Sequence, residues 1–144
     1  MRIVIALFIS VLVLFGETDF SDPQPSFDNP RKMIVQISNP DLENINHILS
    51  SINNILKEYP TGTIEVAVVA YYHGLVALRQ DADQRIKGRI QALMTYDVEF
   101  IACNNTMGSK GWKESDMIED ISYVQAGLAE VLERVVSGWI NIHP

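Results

Sequence analysis

Short apolar runs alternate with longer amphipathic segments along most of this chain. We predict the apolar runs as strands, at 32–38, 64–70, 97–103, 123–126 and 139–142. The run at 64–70 is apolar almost throughout, which is typical of a strand covered on both faces in a parallel sheet. Because the strands alternate with helices, the pattern predicts right-handed crossovers and a three-layer α/β/α fold.

Helices are predicted where apolar residues recur at spacings of three and four. The strongest such segment follows the first strand, with apolar positions at Leu42, Ile45, Ile48, Leu49, Ile52, Ile55, Leu56 and Tyr59. Asn39 offers this helix an N-cap, and Pro40 offers the favoured first helical position. Asp81 or Asp83 is predicted to cap a second helix. A last amphipathic helix, which is expected to end near Gly138, carries Leu128, Val131, Leu132, Val135 and Val136.

The stretch 97–107 changes character abruptly at Cys103, the only cysteine of the chain. Its first half favours a buried strand, whereas Asn104, Asn105 and Thr106 are typical of helix caps and turns. We therefore predict that a helix begins just after the thiol. Backbone N–H groups at a helix start favour anions, so the pKa of a cysteine there can be lowered toward neutral pH. A buried structural thiol is the alternative, because free cysteine is among the most buried residue types.

Three of the predicted strand ends carry polar residues. They read Ser38-Asn39-Pro40, Tyr72-His73-Gly74 and Cys103-Asn104-Asn105. In a parallel sheet, ligands and chemistry gather outside the carboxyl ends of the strands. The candidate site residues at this edge are therefore Cys103 and its expected neighbours Asn39, His73, Asn104, Asn105 and Thr106.

Length and charge restrict the classes of function. A chain of 144 residues forms one domain plus, at most, a short appendage. The net charge is −7 and no run of lysine or arginine occurs, so we expect no nucleic-acid partner, which would require a basic patch. A single cysteine excludes an internal disulfide and leaves a free thiol, an intermolecular bridge or a reactive sulfur.

The N-terminus resembles an export signal. Residues 3–15 are apolar except for Ser10 and follow Arg2, as in the positive region and apolar core of a signal peptide. The run is shorter than the ~20 apolar residues of a membrane span. We therefore expect residues 1–16 to be a signal peptide or an uncleaved N-terminal anchor, with no other stable membrane insertion and a periplasmic location.

A linker is predicted between this segment and the domain. Residues 17–31 contain Pro23, Pro25 and Pro30 among serine, aspartate and asparagine, a composition typical of a flexible tether. The folded domain is then predicted to span 32–144.

The strand ends and the cysteine stretch also resemble those of a known family. The resemblance rests on Ser38-Asn39-Pro40, His73-Gly74, the segment from Phe100 to Met107 and Gly127-Leu128-Ala129-Glu130. On these residues the chain is similar to the DsrE/DsrF-like family over roughly 32–144. The resemblance implies a mainly parallel five-stranded sheet between helices, and a homo-oligomer built on trimers.

The resemblance also implies a reaction. Characterised members of the family carry sulfane sulfur as a persulfide on a cysteine, and Cys103 occupies the matching position. The expected partners are then a second copy of the chain and a protein that donates or accepts sulfur. The other class of function is a non-catalytic oligomeric module, in the periplasm, that holds a small ligand near Cys103.

Other arrangements of reactive residues fit less well. Cys103 with His47, His73 and His143 matches no compact zinc pattern, and the glycines around Lys110 lack the spacing of a phosphate-binding loop. We therefore expect neither a metal ion nor a cofactor.

Overall fold

The computed structural model describes residues 16–144, so the predicted signal segment lies almost entirely outside the described residues. Within 16–144 no helix is both long enough and apolar enough to cross a membrane. Residues 16–30 form neither helix nor strand. They nevertheless touch the domain, because the ring of Phe20 lies 4.8 Å from the ring of Tyr59, centroid to centroid. The guanidinium of Arg31 also donates to the carbonyl oxygens of Ser21 and Pro23, at 2.7 and 2.8 Å.

The centre of the domain is a five-stranded sheet in which every pair of neighbouring strands is parallel. The strands are β1 (Arg31–Ile37), β2 (Ile64–Ala70), β3 (Glu99–Cys103), β4 (Ser122–Val124) and β5 (Ile140–Ile142). Their order across the sheet is β4-β3-β2-β1-β5. The predicted three-layer α/β/α fold is confirmed, and the sheet is parallel throughout rather than mainly so.

Within residues 31–144, four α-helices and two 3₁₀ helices connect the strands. The α-helices are α1 (Leu42–Glu58), α2 (Gln84–Met94), α3 (Asn104–Lys110) and α4 (Gly127–Val136), and the 3₁₀ helices span Tyr72–Leu78 and Glu114–Asp116. The helix predicted just after the thiol is confirmed, with Cys103 itself as its N-cap. It ends at Gly111, whose left-handed backbone (φ 67°) is the conformation that glycine adopts without a steric penalty.

The start of α1 differs from the prediction. The N-cap is Asp41, whose carboxylate accepts a hydrogen bond from the Asn44 N–H at 2.8 Å. The carbonyl oxygen of the Asn39 side chain instead accepts the Asp41 N–H at 2.9 Å. Asn39 therefore shapes the turn before the helix, because a carboxylate two residues later caps the first turn and interacts better with the helix dipole.

The end of the fourth predicted strand also differs. β4 stops at Val124, two residues before the predicted end. The Gln125 carbonyl accepts the Asn105 N–H at 3.0 Å, and Ala126 is the N-cap of α4. Gln125 and Ala126 therefore form the connection between β4 and α4 instead of extending the strand.

The larger hydrophobic core lies on the face of the sheet that α1, α2 and the first 3₁₀ helix cover. Its buried members include Ile37, Leu49, Val68, Ile90 and Phe100. Met107 of α3 also packs here. The carboxyl ends of β1, β2 and β3 lie side by side in the sheet. The three strand ends that were predicted to converge are therefore on neighbouring strands.

The opposite face of the sheet is covered by α4. The core there is small, with Ile34, Ala67, Val69, Ile101 and Val131 buried. An apolar helix stripe ordinarily faces the protein interior, yet of the five apolar positions predicted for this helix only Val131 is buried. The other four, Leu128, Leu132, Val135 and Val136, are 41–74% exposed. The apolar stripe of α4, defined by these four residues, therefore points away from the sheet.

The first 3₁₀ helix crosses the end of β1 very closely at Gly74. The Gly74 N–H donates to the Ser38 carbonyl at 2.9 Å. A Cβ at this position would collide with the backbone of Ile37 and would lie 2.7 Å from the Cα of Ser38. Glycine is required here for space, and this contact fixes where Tyr72 and His73 stand relative to the sheet edge.

Candidate functional site

Cys103 is the last residue of β3 and lies under the connection from β4 to α4. The side chain is only 5% exposed. Its position follows from the register of the sheet, since Cys103 pairs with Val124 in the parallel β3–β4 ladder. The chain therefore passes directly from β4 over the thiol as it enters α4.

Two backbone groups of this connection face the sulfur. The Gly127 N–H donates to Cys103 Sγ at 3.3 Å. The Gln125 carbonyl oxygen lies 3.9 Å from the same sulfur, within reach of a weak S–H donor. A thiolate would keep the first contact and lose the second, because an anion accepts hydrogen bonds but cannot donate them.

The pKa of Cys103 reflects a balance between burial and hydrogen bonding. Burial is the largest influence and raises the pKa of the thiol. The Thr106 hydroxyl and the backbone N–H groups of Gly127, Thr106 and Asn105 favour the thiolate and together outweigh burial, so the pKa of Cys103 lies below its ordinary value. Every one of these donors is electrically neutral, and His73 is not among them.

The Thr106 hydroxyl is itself held in place from the end of β2. The Tyr72 N–H donates to Thr106 Oγ1 at 3.0 Å. This contact joins the first 3₁₀ helix to the first turn of α3.

Asn105 and Gln125 close the site from the other side. The Asn105 N–H donates to the Gln125 carbonyl at 3.0 Å, and the amide of Gln125 donates to Asn105 Oδ1 at 2.5 Å. These two hydrogen bonds fasten the β4–α4 connection to the start of α3. The connection is therefore restrained beside the thiol.

A cavity of about 380 Å³ opens beside the sulfur. It is lined mostly by apolar atoms of Tyr71, Tyr72, Cys103, Asn105, Thr106, Ala126, Gly127 and Leu128. Leu128 is also the first residue of the apolar stripe of α4, so the cavity and this exposed surface are continuous.

The structure brings together only part of the predicted set of site residues. Asn105 and Thr106 line the cavity with Cys103, whereas Asn104 is half-buried next to them in the chain and is not part of the lining. His73 is exposed, and its ring contacts the ring of Tyr72 at 3.9 Å between centroids. Asn39 is exposed at the end of β1 and is separated from β3 by β2. It therefore does not reach the cavity, which corrects its assignment as a neighbour of the thiol.

Six residues that line or close the site are not among those predicted from the sequence: Tyr71, Tyr72, Gln125, Ala126, Gly127 and Leu128. Gly127 carried a signal, since a glycine in the first turn of an amphipathic helix is unfavourable unless the backbone must come close to something. A Cβ there would lie 3.1 Å from Val69 Cγ1 and 3.4 Å from Cys103 Cβ. Gln125 carried no such signal, because its role depends on which strand pairs with β3.

The fold and the thiol at a strand end together define an α/β/α domain with a cysteine-centred site at the carboxyl edge of a parallel sheet. A family model, the DsrE/DsrF-like family, matches residues 31–144. The chain belongs to this family.

Solved structures share the fold of this domain. One is the structure of a protein of unknown function, MTH1491, from Methanobacterium thermoautotrophicum. It is 26% identical, with a TM-score of 0.74, and the match covers 79% of this chain and 99% of that one. The ychN protein from E. coli shares the fold at 11% identity and a TM-score of 0.66, covering 78% of this chain and 99% of its own. No curated protein matches the sequence.

Proposed function

We propose that this protein carries sulfane sulfur on Cys103. The observation that supports this most directly is the set of neutral donors that lower the pKa of the thiol although it is buried. Only a thiolate attacks sulfur, so a site that favours the anion within an apolar cavity suits this chemistry. Membership of the family supports the same role.

The transfer conserves atoms and electrons without an added oxidant. The Cys103 thiolate attacks the terminal sulfur of a donor persulfide, R–S–S–H. The donor S–S bond breaks, R–S⁻ leaves and takes up a proton, and a new S–S bond forms at Cys103. An acceptor thiolate then attacks the terminal sulfur of the Cys103 persulfide and regenerates the Cys103 thiolate. The cavity beside the thiol provides room for the extra sulfur atom.

A small-ligand-binding module is the second candidate. It is favoured by the low exposure of Cys103, at 5%, and by the largely apolar cavity, which suits an uncharged ligand. In that case the lowered pKa would have no role in chemistry.

Intact-mass analysis distinguishes these functions. The reduced full chain is incubated with a low-molecular-weight persulfide, separated from it and weighed. A sulfur carrier gains about 32 Da, one sulfur atom, and loses it on addition of a thiol. Cys103→Ser must show no gain, because this variant contains no thiol.

A second measurement shows whether a negative result is meaningful. Alkylation of Cys103 by iodoacetamide is followed as a function of pH on the same preparation. A thiol that alkylates readily at neutral pH but never gains sulfur would overturn the carrier function in favour of the binding module.

We also propose that the protein assembles with copies of itself through the apolar stripe of α4, in a trimer or a multiple of three as the family resemblance implies. Four aliphatic side chains exposed on one face of one helix form a patch of the kind that marks protein contacts. The neighbouring charge on Arg134 is already paired, with Glu130 at 2.7 Å and Glu99 at 2.8 Å. The stripe can therefore meet another apolar surface without leaving this cation buried and unpaired.

The proposed location is the periplasm, on the sequence of residues 1–16 alone. Mass spectrometry of the protein from its native host tests this proposal. A chain that retains Met1 and fractionates with the cytosol would contradict export.

A further inference from the structure

Tyr72 adopts a backbone conformation that is unusual for its residue type. Its φ is 52°, in the left-handed region where the Cβ of a bulky side chain is crowded. The side chain is 61% exposed, so burial of the ring does not account for the choice of tyrosine. Strained residues of this kind cluster at functional sites, and the surroundings of Tyr72 indicate what it does here.

The backbone of Tyr72 points at the site. Its N–H donates to Thr106 Oγ1 at 3.0 Å. The Thr106 oxygen accepts this hydrogen bond, so the proton of the hydroxyl remains available for another acceptor. The sulfur of a Cys103 thiolate can be such an acceptor. The Tyr72 N–H thus leaves the Thr106 hydroxyl free to donate its proton within the cavity that Thr106 and Cys103 line together.

The ring of Tyr72 forms part of the wall of the cavity. It rests on the ring of His73, with 3.9 Å between the centroids and a 51° tilt. Tyr72 lines the same cavity as Cys103 and Leu128. Besides Cys103 and Tyr72, the lining of this cavity contains one more titratable side chain, the phenol of Tyr71.

We propose that Tyr72 is a positioning and size-selecting residue for Cys103. Its N–H orients the Thr106 hydroxyl toward the sulfur, and its ring narrows the cavity so that slender sulfur compounds reach the thiol and bulky ones do not. The substrate class is then an unbranched persulfide or a cysteine persulfide on an extended segment of protein. The substrate class rests on the proposed sulfur-carrier function, whereas the experiments that test the two roles of Tyr72 do not require it.

The ring is tested by comparing two alkylating reagents on Tyr72→Gly, Tyr72→Phe and the wild type. Glycine adopts the left-handed conformation freely and keeps the N–H, so only the ring is lost. The rate with a bulky aromatic maleimide, relative to iodoacetamide, should rise severalfold in Tyr72→Gly and stay unchanged in Tyr72→Phe. The pH midpoint of alkylation should stay at its wild-type value in both variants.

The orientation of the hydroxyl is tested with Thr106→Val and Thr106→Ser. Valine removes the donor that the Tyr72 N–H holds, so the pKa of Cys103 should rise and alkylation at neutral pH should slow severalfold. Thr106→Ser keeps a hydroxyl and should restore the wild-type rate. The preference between small and bulky reagents should be unaffected by either substitution.

Two results would overturn the inference. Equal reagent preferences in Tyr72→Gly and the wild type would refute size selection, and an unchanged titration in Thr106→Val would refute the role of the hydroxyl. Tyr72→Asn replaces Tyr72→Gly if the glycine variant does not fold, because asparagine tolerates the left-handed region. Alkylation requires no sulfane sulfur, so these outcomes are independent of whether Cys103 carries a persulfide.

Discussion

At the scale of single residues, the reactivity of Cys103 depends on how closely α4 approaches β3. Gly127 permits this approach, because its hydrogen atom leaves room for Val69 and for Tyr71, whose Cβ would lie 3.3 Å from a new methyl group. The same residue donates its N–H to the sulfur. One position thus sets both the packing of the helix and the stability of the thiolate.

We expect Gly127→Ala to raise the pKa of Cys103 and to destabilise the fold by about 1 kcal/mol, the lower end of the cost of overpacking. The added methyl group must push the start of α4 outward and lengthen the N–H···S contact. Alkylation against pH and urea denaturation measure the two effects. Gly108→Ala is the matched control, because nothing lies within 4 Å of a Cβ there, inside α3. A Gly127→Ala protein that titrates like the wild type would contradict this account.

The lowered pKa of Cys103 also makes stability depend on pH. Below the folded-state pKa the thiol is protonated in both states and contributes nothing. As pH rises through that value the folded state binds fewer protons than the unfolded state, so the contribution appears and is complete above the ordinary pKa of 9.0.

The free energy of unfolding of the wild type, relative to Cys103→Ser, should therefore rise with pH in the window that ends near the ordinary value. Urea denaturation of both proteins under reducing conditions, at a series of pH values, gives this difference. Because the stabilising donors are neutral, the rise should persist at high salt. A difference that stays flat with pH would mean that the folded protein does not favour the thiolate.

At the scale of elements, the site depends on how the first 3₁₀ helix crosses the sheet edge. The contact between Gly74 and the end of β1 involves only backbone atoms on the β1 side, at Ile37 and Ser38. Backbone in a central strand cannot yield as a flexible side chain can. The 3₁₀ helix, and Tyr72 with it, is therefore held at one height above the sheet.

Gly74→Ala should destabilise the protein by about 2–3 kcal/mol, the upper range for overpacking at a rigid site. Gly88→Ala makes the same chemical change within α2, where a Cβ meets nothing within 4 Å. It should stabilise the protein by about 0.5–1 kcal/mol, as expected for glycine to alanine inside a helix. Thermal and urea unfolding of the two variants provide the comparison. Equal stabilities would show that the chain can move away from β1 at Gly74.

At the scale of the whole molecule, the two faces of the sheet are covered differently. One face is buried under α1, α2 and the first 3₁₀ helix, whereas α4 covers the other and exposes its own apolar stripe. The proposed self-association would bury that stripe. It would also place another copy next to Leu128, at the cavity beside Cys103.

Light scattering of the wild type should then show a species larger than the monomer, and Leu132→Asp should shift it to the monomer mass. A carboxylate in the centre of an apolar contact loses its hydration without gaining a partner. Asn54→Asp is the control, since it adds the same charge at an exposed position of α1. A wild type that stays monomeric from nanomolar to high micromolar concentration would refute the assembly.

Local pattern alone was enough for much of this molecule. The limits of β2 were predicted to the residue, and the helix after Cys103 was expected from three cap-forming side chains. Such features depend on the periodicity of a short segment and on capping, which are interactions between near neighbours in the chain. The position of the thiol at a strand end, next to the N–H groups of a helix start, was determined in the same way.

Tertiary structure decided everything that depends on which strands are neighbours. The order β4-β3-β2-β1-β5 sets Gln125 and Gly127 over Cys103 and leaves Asn39 on the far side of β2. It also brings the Tyr72 N–H onto Thr106, 34 residues away in the chain. The α4 stripe looked in sequence like any core-facing stripe, since periodicity shows that a helix has an apolar face but not what covers it. The sequence by itself determined most of the elements and the place of the thiol at a strand end, and only the packing between distant segments determined the environment of the thiol.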